Sequence, residues 1–218
     1  MCFSANASFI AAGITGVAGL VAMTRAHARE DMPLASIPLV FSAQQAVEGL
    51  LWLNLPVHPE GAATSMLTHL FLVFAKIIWP VLTPLAVMLV EPDNRRRTPM
   101  KWLCLAGALT GLFFLWSHVT FPHSARIEGG HIAYSSEPYL PIVAGVLYLA
   151  ATCIAPLMSS QPAIRALGLI VTVGSLVTYF FYWEAFTSVW CFFAAAASAV
   201  IVFHFERASM ARRALEQR

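Results

Sequence analysis

Apolar positions along this chain do not alternate with polar ones; they gather into runs, and short polar or basic connections punctuate them. The runs cover residues 5–24, 34–55, 65–90, 101–121, 138–158, 165–183 and 187–205. A hydrocarbon core of about 30 Å needs about 20 helical residues at 1.5 Å each. The pattern therefore predicts an all-α integral membrane protein, a seven-transmembrane helix bundle forming a single domain over residues 1–218. Only a short linker around Glu184 separates the last two runs, so six spans with one re-entrant piece is the alternative reading.

One connection breaks the helical pattern. Between the fourth and fifth runs lies TFPHSARIEGGHIAYSSEP, too polar for lipid, with Gly129-Gly130 between alternating flanks. Two central glycines suit a primed two-residue turn, in which both residues need positive φ. A short outer hairpin is predicted there, covering the mouth of the bundle over Arg126–Tyr134 as a lid or as a plain loop.

Composition agrees with the runs. The chain is 59% hydrophobic and 11% charged, with a mean hydropathy of +0.72, whereas soluble domains carry about 25% charged residues. Its net charge of +2 hides a strong asymmetry. Of thirteen basic residues, eleven fall in connections on one side: Arg25, Arg29, Arg95, Arg96, Arg97, Lys101, Arg165, Arg207, Arg212, Arg213 and Arg218. Arg126 is alone on the other side, and Lys76 lies within a run. Cytoplasmic loops carry the excess of Lys and Arg, so the amino terminus is expected outside and the carboxyl terminus inside. Orientation and lipid headgroups account for the basic loops, and no nucleic-acid partner is implied. A cleaved signal peptide would carry its positive charge ahead of the first run, and here the positives follow it; the N-terminus is expected to be retained.

Prolines and glycines add local detail. Pro38 and Pro141 are read as first-turn residues, where a missing N–H costs little. Pro80 and Pro84 sit deep in the third run and should bend it. Gly13, Gly16 and Gly19, with Gly107 and Gly111, mark close helix contacts.

The informative residues are those that a bilayer disfavours. Charged groups there turn toward an interior or a water-filled cavity and are functional hypotheses by default. Glu48 lies about 10 Å below the outer end of the second helix, and Gln44, Gln45 and Trp52 share its face. Lys76 lies about 16 Å down the third helix, with His69 one heptad above it. An ion pair between Glu48 and Lys76 is the simplest way to house both charges. The alternative is a ligand site, because His118, Tyr179, Tyr182 and Glu184 fall at similar depth on other helices. Five of the seven histidines, His58, His69, His118, His123 and His131, fall in the outer half or its loops. The expectation is an outward-facing polar pocket with Trp52, Trp79, Trp116, Trp183 and Trp190 around it.

A transition-metal ion such as zinc could be held by Cys2, His69, His118 and Glu48, which are suitable ligand types, although no HExxH or CxxC spacing is present. A retinal-type chromophore would require a lysine on the last helix, which has none. Cys104 and Cys153 fall toward the cytoplasmic side, where thiols remain reduced. Cys2 and Cys191 fall outside; if the helices close into a ring, a Cys2–Cys191 disulfide would join the first helix to the last, and a free Cys2 is the rival.

Five stretches then suggest a family: MCFSANASF at the start, QQAVEGLLW, EPDNRRR, IEGGHIAY and SVWCFFAAAAS. Together they resemble, along nearly the whole chain, a family of uncharacterised bacterial polytopic membrane proteins that begin MCFSA. The resemblance implies a multi-pass protein of the bacterial inner (cytoplasmic) membrane and no assigned activity. In span count the chain is also similar to the ceramidase and adiponectin-receptor-like hydrolases, whose zinc site uses histidines, a serine and an aspartate. Here the two aspartates, Asp31 and Asp93, lie in connections outside every run.

These readings lead to one expectation and two rivals. The first is a receptor-like or transporter-like protein whose outer pocket binds a small ligand or ion. An intramembrane metal-dependent enzyme is the second, and an accessory subunit of a membrane complex is the third.

Overall fold

The computed structural model describes residues 4–136, 142–181 and 186–216. Helix α1 (Ala5–Arg25) starts where Ser4 accepts a hydrogen bond from the Ala7 amide, 3.3 Å, as an N-cap serine should. A 3₁₀ turn (Arg29–Asp31) leads into α2 (Met32–Asn54). The third run is one continuous helical path, α3 (Ala62–Leu72), a π segment (Val73–Ile78) and α4 (Trp79–Val90). Next come α5 (Asn94–Thr120), strands β1 (His123–Glu128) and β2 (His131–Ser136), and α6 (Ile142–Leu149). A second π segment (Ala150–Ile154), α7 (Ala155–Leu157), α8 (Pro162–Phe181) and α9 (Phe186–Glu216) complete the order.

The described part of each predicted run is thus helical almost throughout, and among the described residues four helical stretches are long and apolar enough to cross a membrane. They are Ala5–Arg25, Arg29–Asn54, Ala62–Val90 and Asn94–Thr120. Pro38 departs from expectation. Because α2 begins at Met32, Pro33 takes the first-turn position and Pro38 lies inside the helix. Pro141 is outside the described residues.

The two π segments have a common cause. Each precedes a proline by two residues: Val73–Ile78 precedes Pro80, and Ala150–Ile154 precedes Pro156. A proline ring clashes with the carbonyl four residues back and offers it no N–H; widening the preceding turn relieves this, and the Trp79 amide reaches back to the Phe74 carbonyl. The expected bend at Pro80 therefore takes the form of a wider helix turn. The two segments are linked, since the Tyr148 hydroxyl donates to the Ala75 carbonyl at 2.8 Å.

Small residues set the closest approaches. A Cβ at Gly107 of α5 would lie 1.8 Å from the Pro80 carbonyl oxygen, so α5 and α4 meet backbone to backbone there. Gly16 and Gly19 seat α1 on Ser42 and Leu39 of α2, whereas Gly13 faces open space. α9 packs on α1, α2 and α8, so the first and last helices are neighbours. The side chains of Cys2 and Cys191 lie outside the described residues, and Cys104 and Cys153 are free thiols.

The two ends of the bundle differ. At one end Arg25 pairs with Glu206 at 2.8 Å and Arg212 approaches Asp31 at 4.0 Å. Arg96 donates to the Met158 carbonyl at 2.8 Å, joining the first turn of α5 to the α7–α8 connection. At the other end sits the hairpin, with His123 opposite Ser136, Ala125 opposite Tyr134 and Ile127 opposite Ile132. Gly129 and Gly130 take φ of 55° and 79°, the primed turn that the sequence predicts.

Candidate functional site

The middle of α2 carries three polar side chains that are fully or almost fully buried: Gln44, Gln45 and Glu48. Residues at i, i+1 and i+4 cover adjoining parts of one helix face, and this face looks into the bundle rather than outward. Gln45 Nε2 donates to Glu48 Oε2 at 3.2 Å. Trp79 Nε1 donates to Gln44 Oε1 at 2.7 Å, while its ring stacks on Phe41 at 3.9 Å. The polar face of α2 is thereby tied to the first residue of α4. Gln44, Glu48 and Lys76 each make further interactions. Trp52, one turn beyond Glu48, has its indole N–H buried without a hydrogen-bond partner.

Lys76 occupies the π segment and leans toward α5, with Nζ 5.7 Å from the Phe114 ring centre. The widened turn thus carries Lys76 on the side of the helical path that faces Phe114.

Toward the hairpin end, three imidazoles meet. His69 of α3, His118 of α5 and His123 of β1 have ring centres 4.8 Å (His69–His118), 5.5 Å (His69–His123) and 4.8 Å (His118–His123) apart. His69 Nδ1 lies 2.9 Å from the Ser65 carbonyl. A carbonyl accepts only, so Nδ1 is the donor in that contact. Both His123 ring nitrogens are shielded from solvent and lack a hydrogen-bond partner. Burial, and after it the electrostatic influence of neighbouring His118, Lys76 and His69, pushes the His123 pKa down to about 4. Among the described residues no group of three or more His, Cys, Asp or Glu side chains is arranged to hold a metal ion.

The hairpin is docked, not merely laid over the mouth. Its period of two sends His123, Ala125, Ile132 and Tyr134 to one face, and Ile132 is buried while Tyr134 stacks on Phe71 of α3 at 4.5 Å and 4°. Arg126 and Glu128, on the opposite face, pair with each other at 2.8 Å, Arg126 exposed and Glu128 half-buried. Sequence reasoning named His123 only as one of the outer histidines. Its part in the cluster was available from strand alternation, since it shares a face with Ala125, whose partner across the turn is Tyr134.

The predicted site residues thus divide. Gln44, Gln45, Glu48 and Trp52 share the α2 face; Lys76, His69 and His118 gather on α3, the π segment and α5. Trp116 is exposed on the outer surface of α5 and does not wall the interior. Tyr179, Tyr182, Glu184, Trp183 and Trp190, with the proposed metal ligand Cys2, lie outside the residues whose side chains are described.

Sequence reasoning missed one buried charge altogether. Glu91, at the end of α4, is fully buried. Its Oε2 accepts from Ser159 Oγ (2.7 Å) and the Ser160 amide (2.8 Å), and its Oε1 from Ser160 Oγ and the Asp93 amide (3.1 Å). Burial works to raise its pKa, but these hydrogen bonds outweigh burial and hold it below the ordinary carboxylate value.

Apolar side chains such as Ile10, Ile14 and Val17 of α1 and Leu109, Leu112 and Val119 of α5 face outward, while glutamines and a glutamate lie inside. That inversion, with four helices of spanning length, defines a helical membrane protein. The chain belongs to a family of unknown function, DUF6629, whose model matches residues 1–216. No curated protein and no solved structure matches it.

Proposed function

We propose that this protein is a seven-helix protein of the bacterial inner membrane, N-terminus outside, whose outer half binds a small ligand or ion in a receptor-like or transporter-like role. The observation that carries this reading is the Gln44–Gln45–Glu48 face of α2, buried in the interior of the bundle. Withdrawing a carboxylate from water costs several kcal/mol, and an apolar residue would fill the same space without that cost. Buried ionisable groups in spans mark ligand, ion or proton sites for this reason. Below the Trp79 ring lies a cavity of about 30 Å³ lined by Ile37, Phe41, Thr83, Thr152 and Val171, room for about one water. The hairpin end is the outward end in this reading because Arg126 is its single basic residue, whereas the other end carries the arginine-rich connections.

The test compares Glu48→Met with the native protein, using thermal melting across a panel of inorganic cations, anions and amino acids. A binding role leaves the Glu48→Met fold intact and abolishes the stabilisation that one panel member gives the native protein. If Glu48→Met melts far lower and no panel member shifts the native protein, Glu48 is a structural group and the reading fails.

A metal-dependent enzyme is the second reading. The ligand types are present, since the rings of His69, His118 and His123 lie within 5.5 Å of one another, but as they stand these rings are not arranged to hold an ion. Metal content of the purified protein distinguishes the two: a stoichiometric zinc ion lost in His123→Ala supports the enzyme, and its absence leaves the first reading.

A further inference from the structure

At the arginine-rich end, a groove of about 500 Å³ opens between the last turn of α4 and the start of α5. Its α5 wall is a polar stripe, Asn94, Arg97, Thr98 and Lys101, at i, i+3, i+4 and i+7. Its opposite wall is apolar, Met88 and Leu89 of α4, and Glu30 of the 3₁₀ turn closes one side. The groove therefore combines two cations, one carboxylate and an apolar flank.

We propose that this groove binds the headgroup of a membrane phospholipid that carries both a phosphate and a primary amine, as phosphatidylethanolamine does. The phosphate lies between Arg97 and Lys101, the amine faces Glu30, and the glycerol and first methylenes run along Met88 and Leu89.

Three observations support the assignment. First, Arg97 is preset: its Nε donates to the Glu91 carbonyl at 2.5 Å, and its terminal amino groups make no hydrogen bond among the described residues. A guanidinium held by one edge presents its other donors in the planar fork that suits phosphate. Glu91 is itself locked by Ser159 and Ser160, so the anchor is rigid. Second, the charges are uncommitted. Neither Lys101 nor Glu30 takes part in an ion pair among the described residues; Arg212 approaches the neighbouring Asp31. The first amides of α5 are already used by Asp93, whose carboxylate accepts from Arg95 N (2.9 Å) and whose carbonyl accepts from Arg96 N and Arg97 N. Recognition is therefore left to the side chains. Third, the depth is right. The groove sits where α4 ends and α5 begins, and Trp102, 70% exposed on the first turns of α5, marks the headgroup level where tryptophan collects. Basic pockets between helices at this level bind lipid headgroups, and Glu30 adds the discrimination among them.

The experiment uses the full chain, delipidated in detergent and titrated with dioleoyl phosphatidylethanolamine, phosphatidylglycerol or phosphatidylcholine, with bound lipid counted by native mass spectrometry. Phosphatidylethanolamine should be retained best. Lys101→Gln and Arg97→Gln should each lower retention about fivefold. Both Lys101 and Glu30 are exposed, so their variants should melt like the native protein in lipid-free detergent, which keeps the test open if Arg97→Gln weakens the fold. Glu30→Gln should reverse the preference toward phosphatidylglycerol while keeping phosphate-dependent retention. Equal retention of the three lipids, or an unchanged preference in Glu30→Gln, overturns the proposal. Displacement of the lipid by millimolar glycerophosphoethanolamine would point to a soluble ester as the occupant and likewise overturns it.

Discussion

His123, on the first strand of the hairpin, stacks on His118 near the end of α5 with ring centres 4.8 Å apart and planes 22° from parallel. The hairpin thereby enters the bundle through a titratable side chain.

The sign of the pH dependence follows. His123 has a folded-state pKa of about 4 against an ordinary 6.5, so the folded protein resists a proton that the unfolded chain accepts. Its stabilising contribution is complete above about pH 6.5, is lost as pH falls toward 4, and changes no further below that. Melting temperature measured from pH 7.5 to 4 should fall through this window, and the fall should be smaller in His123→Gln. The groups facing His123 are His69, His118 and Lys76, so an unchanged slope in His123→Gln would assign the effect to those neighbours.

Glu91 should behave in the opposite manner to an unpaired buried acid. Its folded pKa lies below 4.5, so its contribution is present above pH 4.5 and disappears as pH falls through the folded value. Glu91→Gln turns an NH₂ toward the donors of Ser159, Ser160 and Asp93, leaving buried donors unmatched. A loss of roughly 1–3 kcal/mol is expected, read by denaturant unfolding in detergent. A native-like midpoint would mean that the connections tolerate opening.

Two glycines with the same sequence role should give different results. Gly107→Ala places a methyl 1.8 Å from the Pro80 carbonyl and should cost at least about 1–3 kcal/mol through forced separation of α4 and α5. Gly13→Ala meets nothing within 4 Å and should raise stability by up to about 1 kcal/mol through helix propensity. Paired thermal melts check this contrast, and equal effects would count against the close α4–α5 contact.

The hairpin turn has its own test. Gly130, at φ 79°, should lose about 1–2 kcal/mol on replacement by alanine, the cost of a left-handed backbone for a residue with a Cβ. If the turn holds His123 in place, Gly130→Ala should also flatten the pH dependence described above. Retention of the full pH slope would show that side-chain docking, not the turn, positions the strand.

Much of this fold is legible locally. Run lengths report helices because a run either is or is not long enough to cross hydrocarbon, and Gly129-Gly130 reports its turn because both residues need positive φ. The inward polar face of α2 also reads directly, since Gln44, Gln45 and Glu48 share one side of a single helix. Contacts between elements are less legible. That Lys76 approaches Phe114 follows from a widened turn ahead of Pro80, and nothing in the apolar pattern distinguishes an α from a π turn. Glu91 reads as one more charge in a polar connection. Its burial depends on Ser159 and Ser160, almost seventy residues on.

The sequence by itself determined the class of this protein, the places of its helices, the segregation of its basic residues to one end and the turn of its hairpin. Each follows from composition or from spacing within about twenty residues. The tertiary structure alone decided that three histidines from α3, α5 and β1 meet, that Trp79 seals the polar face of α2, and that Arg97 is held with its free edge toward a groove. These depend on which helix faces oppose one another, and in so apolar a chain many helix arrangements would satisfy the same pattern. Close packing at Gly107, Gly16 and Gly19 selects among them.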